Sequence, residues 1–326
     1  TFAGVTKFSE PNKIKKEVVI KKDEPQKEPK KIETIKPKKE DKKIAKKPEV
    51  KPKNKNKQDK SKELLLPDLN LKTETVLNFF KDENYDLNKV RFEKKVKPIY
   101  FTQFPKDLDA IQSVKIKKET FIKIVLPLIV AENEKIIDDR KKLLKIVSKK
   151  ATTDDEKQWL RQKFLEYKVK NGKVEILKTR MDIIPVSIAL AQAAKESGWG
   201  TSRFALEGNA IFGQWTWDGK GIAPLMRDKS KNHKILKFPI LRASVKAYQK
   251  NLNTHKSYIK FRETRKKLRE KNKTISGLEL TKTLDNYAET GSEYTKILSK
   301  IIVQNRLMDF ETVRLTSSSK KKEVNL

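Results

Sequence analysis

The chain has 326 residues, of which 77 are Lys or Arg and 43 are Asp or Glu, for a formal charge of +34. With 37% charged and 36% hydrophobic residues, it is too polar to be folded along its whole length. The absence of cysteine excludes disulfides, thiolate metal sites and a cysteine nucleophile. The two histidines, His233 and His255, lack HExxH spacing, so acid–base chemistry falls to carboxylates and no metal or cofactor is expected.

In chain order, residues 1 to 60 hold 21 Lys, no Arg, 10 acidic residues and six of the 13 prolines, with Phe2 and Phe8 as their aromatics. Such a stretch cannot bury enough apolar surface to offset chain entropy. It is predicted to be a disordered Lys/Pro-rich linker over residues 1–92, followed by a folded domain over 93–312 and a polar tail over 313–326. Because the first residue is Thr1, a signal or membrane anchor upstream of the given residues is an expectation. Residues 61 to 326 keep a charge of +23, which suits a polyanionic partner: nucleic acid, an anionic membrane face or an acidic wall polymer. A lysine-rich composition that serves solubility alone is the alternative.

The apolar spacing from Glu119 to Ser148 predicts an amphipathic helix bent at Pro127. Its core, FIKIVLPLIV, contains a lysine and a proline and is too short to span a bilayer. A second helix is predicted over Asp154–Val169, capped by Thr152 or Thr153, with Trp159, Leu160, Phe164 and Leu165 facing inward. In RMDIIPVSIALAQAAKES, Asp182 is the expected cap and Pro185 falls in the first turn of a third helix. Its four alanines between 189 and 194 suit close approach by neighbours, so this helix is expected at the centre of the domain.

Residues 198 to 221 hold six of the ten glycines and three of the four tryptophans. Glycines let backbone approach a ligand, and Trp199, Trp215 and Trp217 offer flat faces for stacking on sugar rings; a turn-rich hydrophobic cluster is the plain alternative. IFGQWTW and HKILKFPI predict a small lobe of two or three strands. Helices resume in ASVKAYQKNLNTHKSYIKF, FRETRKKLREK, SGLELTKTLDNYAE and GSEYTKILSKIIVQNRL, with breaks at Gly277 and Gly291. Glu196 ends the alanine-rich helix, with Trp199 three residues later and glycines flanking it. A carboxyl so placed is a candidate general acid, because burial disfavours its anion. A helix-terminal glutamate on a solvated face beside Lys195 is the competing reading.

The run MDIIPVSIALAQAAKESGWGTSRFALEGNAIFGQW, with VKPIYFTQFPKDL and FIKIVLPLIVAENEKIIDDR before it and SVKAYQKNLNTHKSYIKFRETR, YAETGSEY and IIVQNRL after it, resembles the glucosaminidase domain of Bax-type bacterial proteins, of glycoside hydrolase family 73. The likeness covers Val96 to Leu307. It implies a mainly α, lysozyme-like helical domain with a small β-lobe, cutting β-1,4 bonds after N-acetylglucosamine in peptidoglycan. Glu196 matches the family's catalytic glutamate, Ser197 the serine after it, Asn209, Phe212 and Gly213 the NxxFG block of the cleft wall, and Tyr287 the tyrosine of the YAT-like motif, expected near the acid as a further catalytic residue. Ser197, Trp199, Asn209, Phe212, Gln214, Trp215 and Glu289 form the expected substrate-binding set. The second catalytic group is expected at Asp228, with Asp218, Glu289, Glu293 and the substrate's own acetamido group as competitors. One departure is Ala210, where the family carries a second asparagine, which implies a loosened substrate contact. The resemblance makes peptidoglycan strands the expected partner, not nucleic acid, and the bacterial periplasm or cell envelope the expected location. A lytic transglycosylase or muramidase of the same fold, and a non-catalytic basic wall-binding protein, are the alternatives.

Overall fold

The computed structural model describes residues 71–216, 221–223, 234–271, 273–288, 290–316 and 324–325, all within one compact unit, Glu63–Leu326. The predicted linker up to residue 70 lies outside the described residues. Ordered structure begins well ahead of the expected boundary at 93. Helix α1 (Thr73–Asp82) and helix α2 (Leu87–Glu93) bury Val76, Phe80, Leu87 and Val90 in the main core. Two short strands follow, β1 (Lys95–Val96) and β2 (Ile99–Tyr100).

Helix α3 (Val114–Val147) is a single 34-residue helix that starts on the Ser113 cap and runs through Pro127. Proline has no N–H, so the carbonyl four residues back, that of Lys123, loses its helical donor. The Tyr85 hydroxyl donates to that carbonyl at 3.1 Å, which lets the helix continue. Helix α4 (Asp154–Glu166) opens on a capping box formed by Thr153 and Glu156, as the acidic first turn suggests. Trp159, Leu160 and Phe164 pack on a separate cluster with Leu143, Tyr167 and Leu177, whereas Leu165, expected inside, is 80% exposed. Leu177 belongs to helix α5 (Val174–Arg180).

Helix α6 (Val186–Ser197) is buried at every position from Val186 to Ala194, with α3 along one side. Its start departs from expectation. Asp182 does not cap the helix: it lies before it and takes two hydrogen bonds from Arg269, at 2.5 and 2.6 Å, with Arg140 and Arg265 also beside it. Three guanidinium groups around one buried carboxylate are tolerable because two of them also donate to backbone carbonyls. Arg265 binds those of Thr179, Asp182 and Ile183, and Arg140 that of Met181. The N-terminus of α6 is served instead by Glu311, which accepts from the Val186 N–H at 2.9 Å and from the Ser187 hydroxyl. A carboxylate there meets the positive end of the helix dipole.

Helix α7 (Arg203–Gly208) leads to a three-stranded antiparallel sheet of β3 (Trp215–Thr216), β4 (Gly221–Ile222) and β5 (Lys234–Leu236), with β5 central; this is the predicted β-lobe. Helices α8 (Leu241–Thr254), α9 (Ile259–Glu270), α10 (Gly277–Thr281) and α11 (Ser292–Gln304) complete the bundle, and α10 and α11 close over α6. The described parts of the segment expected to be a polar tail are paired: β6 (Arg314–Leu315) lies parallel to β1 and β7 (Val324–Asn325) parallel to β2. No described helix is long and apolar enough to cross a membrane.

Gly277 sets the approach of α10 to α6. A Cβ there would lie 2.0 Å from Ser187 Oγ and 2.7 Å from Glu311 Oε1, and the Gly277 N–H donates to that same carboxylate at 3.0 Å. Gly277→Ala is therefore expected to destabilise the domain by about 1–3 kcal/mol, read as a lower urea midpoint at unchanged slope. An unchanged midpoint would show that the two helix starts can separate at no cost.

Candidate functional site

Glu196 occupies the last turn of α6 and is partly buried. The turn after it is left-handed at three successive residues, Gly198, Trp199 and Gly200 (φ 59°, 60° and 84°). For a tryptophan this conformation costs on the order of 1–3 kcal/mol. It is held by the Trp199 N–H, which donates to the Ala194 carbonyl at 2.9 Å, and by the ring, which meets Phe121 of α3 edge-on at 5.5 Å. Ser197 locks the same turn from inside: its hydroxyl donates to the Ala193 carbonyl at 2.6 Å and accepts from the Gly200 N–H at 2.9 Å.

Around the Glu196 carboxyl the chain closes a ring of five side chains from distant segments. The Tyr248 hydroxyl donates to Gln192 Oε1 at 2.6 Å, and Gln192 Nε2 donates to the Tyr294 hydroxyl oxygen at 3.0 Å. Tyr294 stacks on Tyr287 with centroids 5.5 Å apart and planes 7° from parallel. The Tyr287 hydroxyl donates to the Phe212 carbonyl at 3.2 Å, and the Phe212 ring lies on Tyr248 at 3.8 Å and 5°, which completes the circuit. Tyr258 packs against Tyr287 from outside at 5.9 Å. Gly213 brings backbone to the carboxyl itself: a Cβ on it would stand 3.6 Å from Glu196 Oε2.

Burial of the carboxyl within this ring pushes the Glu196 pKa above the ordinary glutamate value, against a hydrogen bond from Tyr294 and the charge of Lys195, which both favour the anion. Desolvation wins. Burial also raises the phenols of Tyr248, Tyr258, Tyr287 and Tyr294, so these hydroxyls stay protonated and act as neutral donors. The arrangement can hold a carboxylic acid ready to give up a proton and then solvate the resulting anion with a phenol.

Several expected site residues are placed elsewhere or act differently. Ser197 is fully buried with its hydroxyl committed to backbone, so it shapes the turn and offers nothing to a substrate. Trp199 packs edge-on against Phe121 with the Lys118 ammonium over its ring. Phe212 is 2% exposed and contributes its carbonyl and one ring face to the circuit instead of a wall open to substrate. Tyr287 is brought to the acid, but its proton is spent on the Phe212 carbonyl, which makes it a positioning residue and not an acid or base.

Asn209 adopts φ 50° at the end of α7 and donates to the Phe238 and Pro239 carbonyls at 3.2 and 3.3 Å, which ties the helix to the chain after β5. Ala210, at 1% exposed, packs with Ile235 and Phe238, so an asparagine there would not reach a substrate from this position. Gln214 is half-buried and its backbone carbonyl accepts from the Leu236 N–H at 2.7 Å. Glu293 faces solvent and pairs with Lys296 at 2.7 Å. Asp218, Trp217, Asp228, Glu289 and the Trp215 side chain lie outside the described residues.

Gln192, Tyr248, Tyr258 and Tyr294 escaped the sequence reading. Gln192 had a local signal, as the sole polar side chain between Ile188 and Ala194 and one turn before Glu196. The tyrosines had none, since they lie about 50 to 100 positions after Glu196 in the sequence.

The family model of the glucosaminidases, described as mannosyl-glycoprotein endo-beta-N-acetylglucosaminidase, matches residues 173–307, a span that contains every member of the ring. Protein bax of Escherichia coli (strain K12) is 32% identical over 197 residues, which cover 58% of this chain and 70% of that protein. The chain belongs to the glucosaminidase family. As a glucosaminidase domain it is a glycoside hydrolase acting on glycans. No solved structure matches it.

A pKa raised on folding means that stability tied to the Glu196 proton is full below the unfolded glutamate value and is lost as pH rises through the folded one. Glu196→Gln, which cannot ionise, is therefore expected to melt near the wild type at about pH 4 and above it at about pH 8. Calorimetry at the two pH values measures this. The same offset at both would mean that the carboxyl pays no ionisation penalty.

Proposed function

We propose that the domain hydrolyses peptidoglycan, cutting the β-1,4 bond on the reducing side of N-acetylglucosamine, with Glu196 as the general acid. What carries this reading is one observation: in a glucosaminidase-family domain, the carboxyl that ends the central helix is the one enclosed by the tyrosine ring and biased toward its protonated form.

Glycosidic oxygen is a poor leaving group until it is protonated, and an oxocarbenium-like transition state requires proton delivery as the bond stretches. Glu196 supplies that proton from a site where its anion is otherwise poorly solvated, and Tyr294 offers a hydrogen bond to the carboxylate once the proton has left. Asp228 remains the proposed second carboxyl. The net charge of +34 suits an anionic polymer substrate and, with it, a place in the bacterial cell envelope.

Replacing Glu196 with Gln is expected to lower the rate of reducing-end release from purified peptidoglycan about 10²–10⁴-fold with the fold intact. Mass spectrometry of wild-type fragments is expected to show N-acetylglucosamine at the new reducing ends. Anhydromuramic ends would instead mark a lytic transglycosylase, and full activity of the variant would remove Glu196 from the mechanism.

A further inference from the structure

We propose that Gln192 is a positioning residue that holds the Tyr294 hydroxyl so that its single proton is given to the Glu196 carboxylate. The inference rests on the reading of Glu196 as the general acid and extends it to the groups behind that carboxyl.

The argument is one of hydrogen-bond polarity. Gln192 is fully buried on α6, one helical turn before Glu196 and on the same face. Its two amide ends meet two phenols, and the distances distinguish them. The 2.6 Å contact to Tyr248 fits O–H···O, and the 3.0 Å contact to Tyr294 fits N–H···O. A carbonyl oxygen only accepts, so Tyr248 donates to Oε1. An amide N–H only donates, so the Tyr294 oxygen accepts from Nε2. The Tyr294 proton is thereby left for another acceptor, and the Glu196 carboxyl, one turn from Gln192 along the same face of α6, is the acceptor within its reach. With the amide turned over, the carbonyl would face Tyr294 and take that proton away from Glu196. Tyr248 is what prevents the turn, and the parallel stack on Tyr287 holds the Tyr294 ring in place.

The device opposes the desolvation that raises the acid. The hydrogen bond is stronger to the anion than to the neutral acid, so it stabilises the state that follows proton transfer. The titratable or charged groups acting on Glu196 are Tyr294 of α11, Tyr248 of α8, Tyr258, Tyr287 and the exposed Lys195. Of these, the Tyr294 hydroxyl is the donor placed toward the carboxyl.

The test is a ¹³C NMR titration of the Glu196 side-chain carboxyl, assigned by its loss in Glu196→Gln, in the wild type, Gln192→Met, Tyr294→Phe and the double variant. Each single variant is expected to titrate about one pH unit higher than the wild type, and the double variant no higher than either. The alkaline limb of kcat/KM on peptidoglycan should move with it. A Gln192→Met protein that titrates at the wild-type pH while Tyr294→Phe shifts would overturn the proposal, as would shifts that add in the double variant. If Gln192→Met does not fold, Tyr248→Phe carries the same test, since it frees the amide to turn and is expected to shift Glu196 in the same direction. The titration reads the carboxyl carbon itself, so it decides the role of Gln192 even if the wild type cuts no glycan.

Discussion

Burial of α6 on every side is the constraint that the other elements answer to. A helix enclosed over nine consecutive residues cannot carry a charge in its middle, so its polar work is confined to its ends and to one amide. At the front, Glu311 satisfies the Val186 N–H and, through Gly277, also seats α10. Just ahead of it, Asp182 draws Arg269 inward, and Arg140 and Arg265 fasten the preceding loop by its carbonyls. At the back, Ser197 and the left-handed GWG turn stop the helix with Glu196 on its final turn. The same enclosure that makes the helix central withholds water from that carboxyl.

Withholding water is useful only if it is incomplete. A carboxyl in a purely apolar pocket would keep its proton against a leaving group, and one in open solvent would have lost it before substrate arrived. The tyrosine circuit lies between these limits. Its rings exclude water, while the Tyr294 hydroxyl is left for the acid and those of Tyr248 and Tyr287 go to Gln192 and the Phe212 carbonyl. Each ring pair adds about 0.5–1.5 kcal/mol of packing, so the circuit also ties α6, α8, α11 and the loop after α7 together. Stability and proton affinity come from the same contacts.

Local patterns disclosed much of this. The apolar run with its alanines announced a central helix, Thr153 and Glu156 announced the start of α4, and the break in composition at residues 198 to 221 announced the turn and the β-lobe. What stayed hidden depends on distance along the chain. Asp182 looks like a helix cap in its own neighbourhood and becomes an arginine partner only because Arg269 folds back onto it. Pro127 orphans the Lys123 carbonyl, and its replacement donor, Tyr85, lies 38 positions back in the chain. Ser197 and Phe212 match motif positions associated with substrate, yet whether a side chain faces the groove or the interior is decided by α8 and α11, which lie far downstream.

The central claim is that folding keeps the Glu196 carboxyl protonated beyond the pH at which an ordinary glutamate ionises. Infrared difference spectroscopy of the wild type against Glu196→Gln, followed across pH, reads that proton directly through the carbonyl stretch of a neutral carboxylic acid. A band that depends on Glu196 and persists clearly above the ordinary glutamate pKa of about 4.3 is the expected result. A band that disappears at the ordinary value would contradict the claim, because the tyrosine ring would then enclose a carboxylate and not an acid.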